Sequence, residues 1–122
     1  MTTGTTAITT TFAAALPILP GRSEEWRRIV QEATGPRRAE LDDMHRRLGV
    51  DKADWILQQT PHGDLALVVL QGAGAPQAFP KWGQSQHPFD VWFKEKIGAT
   101  YGLDLSQPPS GPAPEKMYEF KG

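Results

Sequence analysis

The chain contains no cysteine and no asparagine. Without cysteine there is no disulfide scaffold, no thiolate or iron–sulfur metal site and no thiol nucleophile. Without asparagine there is no N-glycosylation sequon and no asparagine-dependent site. An excess of one charge is also lacking. The 13 basic and 14 acidic residues leave a net charge of −1, which builds no field for nucleic acid or an anionic membrane. The apolar run Phe12–Leu16 is short and follows no Lys or Arg. A secretory leader needs a basic start and a longer apolar stretch, and a membrane helix needs about 20 apolar residues. The expectation is therefore a cytoplasmic protein with no membrane and no nucleic-acid partner. The 122 residues fit one domain spanning 1–122, since domains commonly run to about 100–150 residues.

What is present is strongly punctuated. Seven threonines occur in the first eleven residues. Residues 1–5 are expected to be flexible, and Thr6–Leu16 has strand composition. Pro17, Pro20 and Gly21 end that strand. Ser23 is a candidate N-cap, with Glu24 and Glu25 where the helix dipole favours negative charge. Trp26, Ile29, Val30 and Ala33 then share one helical face. Gly35-Pro36 interrupts the pattern, and Leu41, Met44 and Leu48 resume it, so either the first helix kinks there, the form taken for the fold, or a second helix starts with Pro36 in its first turn. Gly49 suits its C-terminal cap. Ala53–Thr60 and Leu65–Gln71 read as a hairpin around Pro61-His62-Gly63-Asp64. The continuous apolar character of Leu65–Leu70 implies that both faces of this strand are covered. Gln77–Gln86 reads as irregular or as a short helix. Pro88–Tyr101 reads as a helix closed by Gly102. Residues 103–114 are proline-rich and expected to run extended, and Lys116–Phe120 suits a last strand.

The resulting order is α+β, a ferredoxin-like β-α-β-β-α-β with a four-stranded antiparallel sheet and two helices on one face. The open face would leave apolar side chains in water. Two copies packed sheet to sheet would cover it, so a homodimer is expected.

Few residues offer chemistry. His45, His62 and His87 lack metal-ligand spacing, and no phosphate loop or nucleophile elbow is present; neither metal nor cofactor is expected. His62 falls in the hairpin turn and His87 at the start of the last helix. His45 lies at the edge of the Leu41, Met44, Leu48 stripe, where it could enter a pocket between helix and sheet. Arg37 or Arg38, beside the kink, could reach an anionic ligand. Gln58 and Gln59 lie mid-strand on opposite faces, and a buried amide among aromatics can orient a ligand. Trp55, Trp92 and Tyr101 are candidate pocket walls. Trp82, in a Pro/Gly-rich stretch, is a candidate lid.

ALPILPG after the first strand, LQQTPHGD across the hairpin, HPFDVWF opening the last helix and YGLDLSQPP after it together resemble an uncharacterised bacterial group. That group is related to antibiotic-biosynthesis-monooxygenase-like proteins of the dimeric α+β barrel superfamily. The resemblance covers residues 7–120. It implies a dimeric barrel that binds a small apolar or aromatic ligand. It also implies cofactor-independent oxygenation or cyclisation of an aromatic or polyketide-like substrate. In that reading His45 is the base and Gln58 or Gln59 the polar anchor, with Arg38 as a further candidate for binding substrate. Trp55, Trp82, Trp92 and Tyr101 surround the substrate. Haem-degrading relatives use an Asn–Trp–His set, which a chain without asparagine does not supply. The competing readings are a non-catalytic small-ligand-binding or structural dimer, and a protein that engages partners through LSQPPSGPAP.

Overall fold

The structure is a computed structural model that describes residues 10–107 and 114–122. Its elements are β1 (Thr11–Pro17), α1 (Ser23–Thr34), α2 (Arg38–Arg47), β2 (Lys52–Thr60), β3 (Gly63–Gln71), α3 (Ala75–Gln84) and α4 (Pro88–Tyr101). The three strands form one antiparallel sheet in the order β1-β3-β2. Phe12 pairs with Leu70 and Leu16 with Ala66, while Trp55 pairs with Val68 across the hairpin. Side chains alternate across a strand. This register therefore puts Phe12, Ala14 and Leu16, Ala66, Val68 and Leu70, and Ala53, Trp55 and Leu57 on the face towards the helices. Leu65, Leu67, Val69 and Ile56 lie on the other face, outside the core cluster, and Ile56 is 45% exposed.

The four-stranded ferredoxin-like sheet, and with it the barrel architecture, is not formed. Lys116–Phe120 is exposed chain without regular structure. Met117, Tyr118 and Phe120 alternate only in part, and the segment makes no ladder with the free edge of β1. Its recorded link to the body is a hydrogen bond from Lys116 Nζ to Thr11 Oγ1 at 3.0 Å. The expected single kinked helix is instead two helices, α1 and α2, because Gly35 and Pro36 leave the helical path entirely. Gln77–Gln86 resolves as α3, begun two residues earlier by Ala75 and Pro76 and containing Pro80. Four helices rather than two therefore pack with the sheet. The segment expected to be extended from residue 103 first turns at Leu105 and Ser106. Residues 1–5, the first part of Thr6–Leu16 and most of the proline-rich stretch lie outside the described residues.

Two devices hold the helices in place. The first is polar. Arg47 on α2 grips Asp90 on α4 with two hydrogen bonds of 2.9 and 3.0 Å. Asp90 is fully buried and also accepts a bond from Ser85 Oγ at 2.5 Å. Lys94, one turn on, donates to the carbonyls of Gly83 and Ser85 at 2.7 and 2.9 Å. The α3–α4 connection is thus tied to Asp90 and to Lys94, both on α4. Burial pushes the Asp90 carboxyl up, but the bonds from Arg47 and Ser85 outweigh it and hold it below the ordinary carboxylate range.

The second device is a crossing of three glycine backbones. α2 ends in a paired cap in which Gly49 (φ +73°) donates to the Arg46 carbonyl at 3.1 Å and Val50 donates to that of His45 at 2.9 Å. Gly74, just before α3, donates to the Gly49 carbonyl at 2.9 Å. A Cβ at Gly72 would lie 2.5 Å from that same carbonyl oxygen, so only glycine fits.

Arg47→Ala should lower stability by about 3 kcal/mol, because it leaves a buried carboxylate without its cation. A folded-state pKa held low gives stability that is complete above the unfolded value of about 3.9 and lost as pH falls through the folded value. The wild-type protein should therefore lose stability as pH falls below about 4, and Arg47→Ala should lose less there. Urea denaturation across pH tests both statements.

Candidate functional site

The sheet presents small residues, Ala14, Ala53 and Ala66, beneath the helices. Large rings from the helices span the gap without filling it. A cavity of about 80 Å³ remains, lined by side chains from all three strands and all four helices, almost all of them apolar. Rings follow one another along its wall. His45 and Trp55 have centroids 6.0 Å apart, Trp55 and Phe93 5.3 Å, Phe93 and Trp82 5.7 Å, and Trp82 and Phe79 5.7 Å. Leu105, in the turn after α4, closes part of the wall. That turn sits tightly on glycine: a Cβ at Gly83 or Gly98 would lie 2.8 or 2.7 Å from the carbonyls of Leu105 and Leu103.

A second, open groove of about 600 Å³ adjoins this cavity. Its lining is mixed, with the charged side chains Arg38, Asp42, Arg46, Asp51 and Lys52 beside apolar ones such as Leu41 and Val50. Val30, His45, Val50 and Trp55 line both spaces. His45 and Trp55 therefore stand where the open groove meets the apolar interior.

His45 reaches that place because α2 turns its Leu41, Met44, Leu48 stripe into the core and carries His45 at the stripe's edge. Its imidazole makes no hydrogen bond to any described residue. Burial pushes its pKa below 6.5; Asp42 opposes this and Arg38 adds to it. The ring is thus neutral near pH 7 and holds an available lone pair, the condition for accepting a proton. Tyr101 lies in the inner wall, where its hydroxyl accepts a bond from Trp26 Nε1 at 3.0 Å. Burial pushes it up to about 12 against the opposing effect of that bond, so it stays protonated.

The remaining candidates separate. Trp55 lines both spaces. Trp82 is 9% exposed and forms a wall of the inner cavity from within α3, so it is not a loop-borne lid. Arg38 is on the groove rim, bonded to Asp42 at 2.9 Å. Trp92 lines neither space; the Arg37 guanidinium lies 4.2 Å from its ring centre and pairs with Glu40. Gln58 and Gln59 are both exposed near the hairpin end. Gln58 Nε2 donates to the Gln59 carbonyl at 3.1 Å, and neither residue lines the cavity. His87 occupies the N-cap of α4 without a side-chain capping bond. Sequence reasoning missed the cavity roles of Trp26, Phe79 and Phe93. Helical spacing put Trp26 on one apolar face with Ile29, Val30 and Ala33, but spacing does not distinguish a filled core from one with a void. Among the described residues no three His, Asp or Glu side chains converge as a metal site, and no helix is long and apolar enough to cross a membrane.

A histidine whose folded pKa is lowered contributes stability that is complete above the unfolded value of about 6.5 and is lost as pH falls below it. NMR titration should place the His45 midpoint below 6.5, and His45→Phe should flatten the fall in stability below pH about 6.5. A midpoint at or above 6.5 would show the ring to be solvated.

No protein-family model matches the chain, and neither the curated proteins nor the solved structures compared with it gave a match.

Proposed function

We propose that this protein binds a small, mainly apolar or aromatic molecule between its sheet and helices, and that His45 exchanges a proton with it. One observation carries this reading: a neutral histidine without a protein hydrogen-bond partner stands at the junction of an apolar cavity and a groove that carries charged side chains. Convergent polar groups in an apolar concavity are the usual form of a small-molecule site. A base in such a place can remove a proton from a phenol, or from carbon beside a carbonyl. The carbanion so formed is the species that cofactor-independent oxygenation and cyclisation require. Arg38 and Arg46 on the groove rim suit an anionic or strongly polar end of the same molecule.

A non-catalytic binding protein is the second reading. It is favoured by the absence of any hydrogen bond orienting the His45 ring among the described residues, since catalytic imidazoles are generally fixed by a partner. Oxygen uptake with phenolic or quinol substrates and no added cofactor separates the two. For the enzyme, His45→Gln should lower kcat by about a hundredfold, the scale of general base catalysis, with little change in KM. Quenching of tryptophan fluorescence by the same compounds without turnover would establish the binding protein instead. Turnover unchanged in His45→Gln would remove His45 from the mechanism.

We also propose a homodimer formed through the sheet face that carries Ile56, Leu65, Leu67 and Val69. A row of aliphatic side chains on the helix-free face is stabilised by burial against a like surface. Sedimentation should show a dimer at micromolar concentration and a monomer for Leu67→Lys. A wild-type monomer would refute it.

A further inference from the structure

The charges that line the open groove are Arg38, Asp42, Arg46, Asp51 and Lys52. Most of them are already matched. Arg38 bonds to Asp42 at 2.9 Å, and Lys52 bonds to Asp54 at 2.9 Å. Arg46 and Asp51 are left over. Neither side chain has a hydrogen bond or an ion pair with any described residue. The main chain fixes where this cation and this anion stand. Arg46 lies in the last turn of α2, and Asp51 directly precedes β2. Between them runs the paired cap, in which Gly49 donates to the Arg46 carbonyl and Val50 to that of His45. The Asp51 N–H is held in turn by the Gln71 carbonyl at 2.7 Å. Backbone bonds therefore set both positions, and the two side chains border one groove without pairing with each other. The wall beside them is apolar, formed by Val30, Val50 and Trp55 with the neutral His45 ring.

We infer that the polar end of the bound molecule is a zwitterion, an ammonium and a carboxylate on one apolar body, as in an α-amino acid with an apolar side chain. Its carboxylate pairs with Arg46, its ammonium pairs with Asp51, and its apolar body lies against Trp55. This inference rests on the reading of the site as one for a small, mainly apolar molecule and adds the chemistry of the head group. A simple anion would be attracted by Arg46 and repelled by Asp51, and a simple cation would meet the reverse. A molecule with both charges is attracted by both. Guanidinium takes carboxylate through two parallel hydrogen bonds, and an ammonium brings three donors to a carboxylate. The groove of about 600 Å³ has room for such a head group together with its side chain.

Four compounds with one phenylethyl body test this: L-phenylalanine, 3-phenylpropanoate, phenethylamine and ethylbenzene. They carry both charges, the anion alone, the cation alone and neither. NMR titration at pH 7 gives an affinity for each. The wild-type protein should bind L-phenylalanine about fivefold more tightly than either singly charged compound, the scale of one exposed ion pair. Arg46→Gln should abolish the advantage over phenethylamine and keep that over 3-phenylpropanoate. Asp51→Asn should do the reverse. Both residues are exposed, so both variants should keep the fold. Arg28→Gln removes an exposed arginine that lines neither space, and it should leave all four affinities unchanged. A singly charged compound that binds wild type as tightly as L-phenylalanine would overturn the zwitterion and leave the ligand site standing. Binding of ethylbenzene without L-phenylalanine would do the same. Binding of none of the four would overturn both readings. An advantage of L-phenylalanine that survives both variants would overturn the roles of Arg46 and Asp51.

Discussion

The Arg47–Asp90 pair is the interaction on which the arrangement of helices depends. It is the place where α2, α4 and the connection from α3 are held by one set of polar contacts. Asp90 has no exposed surface, so its charge is tolerated only because Arg47 and Ser85 face it. Lys94 extends the same set to the carbonyls that end α3. Burial pushes the Lys94 amine down while Asp90 pushes it up. Each charge therefore depends on its neighbours, and the helices meet in one arrangement rather than several that are equally greasy. None of the residues that line the cavity joins this polar network.

The apolar cavity and the polar network solve opposite problems. In the network every buried group has a partner. Around the cavity the Trp82 indole N–H and the His45 imidazole have none among the described residues. Stability alone would favour the first arrangement everywhere. Burial keeps His45 neutral and Tyr101 protonated, so the cavity lining carries no fixed charge.

Much of the framework was legible because local signals agreed. α4 runs from Pro88 to Tyr101 as read, since proline opens it, Gly102 adopts the left-handed turn and apolar spacing fills the interval. The hairpin was legible for the same reason. The last strand was not, because Lys116–Phe120 has strand-like composition, yet a strand exists only with a partner and composition does not report one. α3 was obscured by Pro76 and Pro80. Pro76 falls in the first turn, and the carbonyl it leaves without a helical donor is the one that Pro80 cannot serve. His45 and Trp55 were legible as inward-facing residues. The burial of Asp90 was not, because a charged residue on a helix normally reads as solvated and its partner lies 43 positions away. Gln58 and Gln59 failed as anchors for a simpler reason: they lie at the end of the hairpin, beyond the helices that would have buried them.

The crossing of Gly49, Gly72 and Gly74 has a mechanical consequence. It fastens the end of α2 to the beginning of α3, and these two helices carry His45 and Trp82. With backbone against backbone there is no side chain to flex at that point, and the junction acts as a pivot. Any widening of the cavity of about 80 Å³ therefore turns about that junction, where the spacing of α2 and α3 is set by main chain alone.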